Sequence, residues 1–188
     1  LLHEIAVPAD PAHVRVFSYA AELAPADIAL STLVRCLESV RAMNPAGAYE
    51  LIYVDSGSSD DSVGIAAAAG AKGIARSAAR TSAAMARNAG WRAARSEWIL
   101  FLDGDTILHP DFAHLALDAA RTSSVSVVWG HRREARPTAN VFHRVLDLDW
   151  VYAPGYTEFC GGDALMRRDA LAEVGGFDET LIAGEEPE

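Results

Sequence analysis

The sequence predicts an α/β fold, a mostly parallel sheet flanked by helices, and three observations carry that expectation. Strand and helix patterns alternate four times between residues 13 and 103, as they do when parallel strands are joined by helical crossovers. Two of the strand patterns, "YELIYVD" (49–55) and "EWILFLD" (97–103), are nearly continuous apolar runs, as in strands covered on both faces. Both runs end in aspartate, and in such sheets ligands bind beyond the carboxyl ends of the strands.

The elements follow in order. Residues 1–12 carry two prolines and no periodicity, and read as an N-terminal arm. "HVRVFSYA" (13–20) alternates apolar residues like a short strand. Leu30, Leu33, Val34, Leu37 and Val40 recur at helical spacing, with Asp27 as N-cap and Asn44-Pro45 as the stop. After the strand at 49–55, Ser59 or Asp60 caps a helix that ends near Gly70. "KGIARS" (72–77) is a short strand, and "TSAAMARNAGWRAARS" (81–96) is a helix rich in small residues. Beyond Asp111 the alternation loosens. A helix runs through "DFAHLALDAARTS", a strand through "SVSVVWG", then come the polar "HRREARPT" and an amphipathic segment at 139–152. "CGGDALMRRDALAEVGGFDE" (160–179) reads as loop, short strand, short helix and Gly-Gly turn. No linker splits residues 13–188, which read as a single domain. The chain starts without Met and stops at "GEEPE", so the expectation is a domain truncated at its C-terminal end.

Composition narrows the function. Sixteen Lys and Arg against 26 Asp and Glu give a net charge of −10 over 188 residues, which argues against a general nucleic-acid binder. An acidic protein that handles phosphates must supply positive charge locally, and a metal ion does so. Cys36 and Cys160 form neither a disulfide framework nor a Cys-x-x-Cys pair, as expected in the reducing cytoplasm. No apolar run reaches the length of a membrane span.

The chemistry gathers at the two strand ends. In "VDSGSSD" (54–60), Gly57 allows a tight turn, and Ser58, Ser59 and Asp60 serve the following helix. Asp55 closes the strand and faces the ligand crevice, where a carboxylate accepts hydrogen bonds from a ribose hydroxyl or a base N–H. In "LDGDT" (102–106), carboxylates two apart with glycine between them reach one hard divalent cation, or the ribose beside it. A plain turn is the bland alternative, since Asp and Gly are turn residues. A strand ending in D-x-D also opens the haloacid-dehalogenase phosphatases. That pattern wants Thr or Val two places after the second Asp, where Ile107 stands here, and it follows the first strand of a domain rather than the fourth.

Three blocks, "VDSGSSDDS", "ARNAGWRAARSEWILFLDGDT" and "CGGDALMRRDALAEVGGFDETLIAGEEPE", resemble in order and spacing the family-2 glycosyltransferases with the GT-A fold. The resemblance covers roughly residues 13–188. It implies a Rossmann-like nucleotide-binding half joined to an acceptor-side half, a nucleotide-diphosphate sugar donor, Mn²⁺ or Mg²⁺ on the D-x-D, and inverting transfer to an acceptor hydroxyl. The nucleotide-binding aspartate of the family maps to Asp55. The D-x-D maps to Asp103, nearer the ribose, and Asp105, the more direct metal ligand. The acid pair that supplies the base maps to Glu185 and Glu186, with Glu186 as the base. The sequence also departs from the family. "FSYAAE" lacks the Pro and Asn of the usual first-strand ending, leaving Tyr19 to stack near the base; Ser56 stands where many members carry a second Asp; and the acid pair is Glu-Glu rather than Glu-Asp.

Arg76, Arg80 and Arg87 lie between the third strand and the D-x-D and are candidates to meet the donor diphosphate; solvated helix surface is the plainer reading. In "WGHRRE", His131 and Arg132 follow directly on a strand and are candidates for an acceptor pocket taking an anionic group; a solvated charge run is the plainer reading. Asp163, after two glycines, faces the sugar or bonds its own loop. Asn88 and Gly90 serve packing and loop anchoring, and Gly175-Gly176 with Phe177 shape and anchor a turn. The acceptor is open: glycan, lipid or small molecule, with association at the cytoplasmic membrane face through further segments. The alternatives are a sugar-phosphate nucleotidyltransferase, which wants a Gly-rich basic loop after the first strand that "FSYAAELAPAD" lacks, and a non-catalytic nucleotide-sugar-binding protein.

Overall fold

The computed structural model describes residues 14–19, 26–44, 48–75, 82–149 and 153–181. Six strands form one sheet: β1 (Val14–Tyr19), β2 (Glu50–Asp55), β3 (Lys72–Ala75), β4 (Trp98–Asp103), β5 (Val127–Trp129) and β6 (Ala164–Arg167). Their order is β3-β2-β1-β4-β6-β5. The pairs β1–β2, β1–β4 and β2–β3 are parallel, while β6 runs antiparallel to both β4 and β5. The mostly parallel sheet expected from the alternation is therefore present, with one reversed strand where the pattern loosened. That reversal has a consequence for chemistry: the start of β6 lies at the same edge as the end of β4.

The helices are α1 (Ala26–Ala42), α2 (Ser62–Ala68), α3 (Ala83–Ala93), α4 (Phe112–Ser123), α5 (Val141–Asp149) and α6 (Arg168–Val174). The continuous apolar runs divide their side chains between two cores. Leu51 and Tyr53 of β2, with Trp98, Leu100 and Leu102 of β4, pack with α1, α2 and α4. Ile52 and Val54, with Ile99 and Phe101, pack with α3 and α6 on the other face. Every one of these strand residues is buried, and each such side chain contributes about 1.5–3 kcal/mol relative to exposure.

Three local expectations shift. Helix α1 begins at Ala26, so Asp27 lies inside its first turn rather than at the cap. On that helix Cys36, wholly buried, takes the place in the stripe that Val34, 36% exposed, was expected to fill; position 36 follows Leu33 by three, position 34 by only one. At α2 the N-cap position falls on Asp61, which makes no side-chain cap bond, rather than on Ser59 or Asp60; the Asp60 carboxylate instead accepts the Ser62 N–H and hydroxyl.

The chain moves outward from β1 to β2 and β3, then returns to place β4 on the other side of β1. Tyr19 and Asp103, the last residues of β1 and β4, are partners in register at this reversal. A crevice opens beyond the strand ends at such a reversal, and it is here that the site stands.

Candidate active site

The D-x-D turn is fixed from three directions. The Asp103 N–H donates to Asp163 Oδ1 at 2.9 Å, and the Thr106 hydroxyl donates to Asp163 Oδ2 at 2.8 Å. The Asp103 carbonyl accepts from the Thr106 N–H at 3.0 Å and from the Cys36 thiol at 3.6 Å. Ser39 of α1 accepts the Leu108 N–H at 2.9 Å, holding the chain that leaves the turn. Cys36, wholly buried on α1, thus also touches the turn; Thr106 and Ser39 carried no signal in the sequence beyond being small hydroxyl residues.

Both carboxylate oxygens of Asp103 are ion-paired, Oδ1 with Arg87 Nη2 and Oδ2 with Arg132 Nη2, each at 3.1 Å. Arg132 also places its Nε 2.8 Å from Asp163 Oδ2. Two guanidinium groups thus balance two carboxylates. Burial disfavours the charged form of Arg132, but the adjacent Asp163 and Asp103 outweigh it and hold its pKa above the ordinary value. Burial, reinforced by the Asp103 charge, pushes the Asp163 carboxyl upward, and Arg132 pulls it back. Asp105, one glycine further on, is exposed and has no side-chain partner among the described residues.

Asp55 is 94% shielded from solvent, with a relative exposure of 6%. Its Oδ2 accepts from the N–H groups of Gly57 and Ser58, at 2.9 and 3.1 Å, and the turn requires φ of +102° at Gly57. Its Oδ1 is buried without a hydrogen-bond partner among the described residues. Buried carboxylate oxygens are rarely left so.

Arg87 is 5% exposed and reaches Asp103 from α3. Its guanidinium lies 5.8 Å from the centre of the Phe177 ring, which meets Phe101 edge-on at 5.3 Å. Asn88 locks the Phe177 backbone: its Oδ1 accepts the Phe177 N–H at 3.0 Å and its Nδ2 donates to the Phe177 carbonyl at 2.7 Å. A Cβ on Gly176, whose φ is +87°, would stand 2.4 Å from Asn88 Oδ1. The "ARN" and "GGF" blocks, far apart in sequence, therefore form one support beneath Asp103.

On the other flank, Arg133 makes a two-bond pair with Asp147 of α5, both bonds 2.7 Å, and Asp147 also accepts the Glu134 N–H at 3.0 Å. The bonds from Arg133 hold the Asp147 carboxyl down at about 2. Glu134 Oε1 lies 2.9 Å from His143 Nδ1. His131 is exposed beside this segment. The side chains of Tyr19, Arg76, Arg80, Glu185 and Glu186 lie outside the described residues.

A hard divalent cation takes one or two carboxylates and completes its shell with water and substrate phosphate. Asp105, open and unpaired among the described residues, fits that demand, whereas Asp103 beside it has both oxygens on guanidinium groups. Among the described residues no group of three or more His, Cys, Asp and Glu gathers into a closed metal cage. No helix among them is long and apolar enough to cross a membrane.

The comparisons with known proteins agree with this fold. The mannosyltransferase PcManGT from Pyrobaculum calidifontis, solved with GDP-Man and Mn²⁺, superposes with a TM-score of 0.65 at 21% identity, covering 89% of this chain and 47% of that one. TarS from S. aureus, residues 1–349, gives 0.66 at 17% identity, with 94% and 52% covered. Glucosyl-3-phosphoglycerate synthase from M. tuberculosis gives 0.58 at 20%, with 86% and 59% covered. The chain thus spans about half the length of these proteins and shares the α/β fold of the GT-A glycosyltransferases. No curated protein sequence matches it. The profile of Glycosyl transferase family 2 matches residues 26–175, most of the chain. A sheet ending in Asp55 and Asp103 at the crevice, together with that match, places the chain in glycosyltransferase family 2.

Proposed function

We propose that this domain binds a nucleotide-diphosphate sugar across the ends of β2, β1 and β4 and transfers the sugar, with inversion, to an acceptor hydroxyl. The observation that carries the reading is Asp55 Oδ1, a buried carboxylate oxygen with no donor among the described residues, in a family-2 chain. A ribose hydroxyl or base N–H satisfies it. Two strand spacings, about 10 Å, separate β2 from β4, a span that a nucleoside diphosphate covers from Asp55 to Asp105.

In this reading the Rossmann-like half, β3-β2-β1-β4, takes the nucleotide, with Tyr19 near the base and Arg76, Arg80 and Arg87 on the diphosphate side. Arg87 is fixed against Asp103 and acts there as a counter-charge. Asp105, with Asp103 beside it, holds Mn²⁺ or Mg²⁺, which when bound neutralises charge on the departing diphosphate. The acceptor-side half is β6, β5 and the segments carrying Asp163, His131 and Arg132. Glu186 removes the acceptor proton, and Glu185 supports it. PcManGT is a mannosyltransferase solved with GDP-Man and Mn²⁺, and the mycobacterial protein is a glucosyl-3-phosphoglycerate synthase; the sugar and acceptor of this chain follow from neither. Two cysteines free of disulfide fit the reducing cytoplasm proposed as its compartment.

Thermal unfolding with UDP or GDP, each with Mn²⁺ and with excess chelator, tests the reading. Stabilisation by one nucleotide in Mn²⁺ alone is expected, because the net charge of −10 opposes an unassisted diphosphate. Equal stabilisation in chelator sinks the cation, and none under either condition sinks the donor site.

A further inference from the structure

Asp163 and Arg132 come from different segments, the loop before β6 and the loop after β5, yet both close on the D-x-D turn. Asp163 takes two of the turn's donors, the Asp103 N–H and the Thr106 hydroxyl. Arg132 then spans the two acids with one edge of its guanidinium, Nε on Asp163 and Nη2 on Asp103. The result is a closed ring: Asp103 backbone, Asp163, Arg132, Asp103 side chain. Asp163 is 9% exposed, so its charge needs a partner, and Arg132 is the cation bonded to it. The segment bearing Arg132 is itself anchored next door by Arg133 and Glu134 on Asp147.

We infer that Arg132 and Asp163 are positioning residues that hold the Asp103–Thr106 turn in the shape that presents Asp105. Without Arg132, two neighbouring carboxylates stand short of one counter-charge, and the cheapest relief is for the turn to move away from Asp163. A lysine there keeps a charge but lacks the planar edge that spans both acids. The cation part of this inference rests on the function proposed above; the turn geometry does not.

The test compares wild type with Arg132→Gln, Arg132→Lys, Asp163→Asn and the double variant Arg132→Gln/Asp163→Asn. Amide hydrogen exchange over residues 101–108, measured without nucleotide or metal, reads the turn itself. Arg132→Gln should speed exchange there by about tenfold or more, the equivalent of one charged hydrogen bond, with β2 and β3 unchanged. Arg132→Lys should fall between. The double variant should exchange more slowly than the product of the two single effects, since removing Asp163's charge removes the need for Arg132. Mn²⁺ affinity by electron paramagnetic resonance should fall in parallel. Unchanged exchange in Arg132→Gln, acceleration spread evenly over the sheet, or strictly multiplicative effects would each overturn the inference. Wild type that binds no Mn²⁺ alone or with UDP overturns the cation reading instead, and the exchange pattern still decides the ring.

Discussion

The two flanks of β4 are built by different means. On the β1–β3 flank the key carboxylate is placed by the backbone: Asp55 ends a buried strand, and the N–H groups of its own turn hold one oxygen. On the β5–β6 flank the key groups lie in loops and are placed by ion pairs, Arg132 on Asp163 and Asp103, and Arg133 on Asp147. Packing differs in the same sense. Leu33, Leu37 and Val40 of α1 are at most 2% exposed, whereas Val141, Phe142, Val145 and Leu148 of α5 are 59–76% exposed. A side set by strand ends keeps its geometry through most single substitutions; a side set by paired charges does not.

The largest effect expected of any substitution tests whether chemistry and donor binding are carried by separate residues. Glu186→Gln should lower transfer by about 10²–10⁴-fold, the usual cost of losing a general base, and leave nucleotide affinity nearly unchanged. Steady-state transfer beside calorimetric nucleotide titration checks it. Near-normal transfer moves the base to Glu185 or to Asp163, and a product of retained anomeric configuration removes the need for one.

The two aspartates of the D-x-D sharpen the contrast at one position. Asp105→Asn should abolish most metal-dependent nucleotide binding and hardly move the melting temperature, because Asp105 is exposed and supports nothing else among the described residues. Asp103→Asn should weaken that binding less but destabilise the fold by about 1–3 kcal/mol, since it removes the charge that both Arg87 and Arg132 bond. Equal behaviour of the two variants in both measurements contradicts the separate roles.

Gly176→Ala probes the support beneath Asp103. Positive φ and the 2.4 Å approach of a Cβ to Asn88 Oδ1 make any side chain strained there. A loss of about 1–3 kcal/mol is expected, read as the shift in denaturant midpoint. If Phe177 positions Arg87, nucleotide affinity falls with it; a stability loss alone confines the "GGF" turn to packing.

How far the sequence reached follows the same division. The apolar runs of β2 and β4 and the small-residue helix α3 were readable because burial on two faces leaves a continuous pattern. Asp55 and Asp103 were readable because each ends such a run. Arg132 was legible only as an unusual residue after a strand, and its partners were not, because ion pairs between loops leave no periodic trace. The reversal of β6 was equally hidden: a short apolar strand carries no mark of direction, yet that reversal brings Asp163 to Asp103. The contact of Cys36 with the turn was hidden too, because it depends on how α1 lies on the sheet.

The smallest effect concerns the outer anchor, Arg133–Asp147. The bonds from Arg133 depress the Asp147 carboxyl from 3.8 to about 2 in the folded protein. A carboxylate with a lowered folded value stabilises the fold fully above its unfolded value, and that contribution disappears as the pH falls through the folded one. The window therefore runs from about pH 4 down to about pH 2. Arg133 is 59% exposed, so solvent screens the pair and keeps the contribution small. Asp147→Asn removes the titrating group while keeping its size. The difference in melting temperature between wild type and Asp147→Asn should be largest near pH 5 and shrink toward zero at pH 2. A difference that stays constant across the window would mean that Asp147 acts through shape and its bond to the Glu134 N–H rather than through charge. The β5–β6 flank would then be held, at its outer end, by the same backbone means as the flank that carries Asp55.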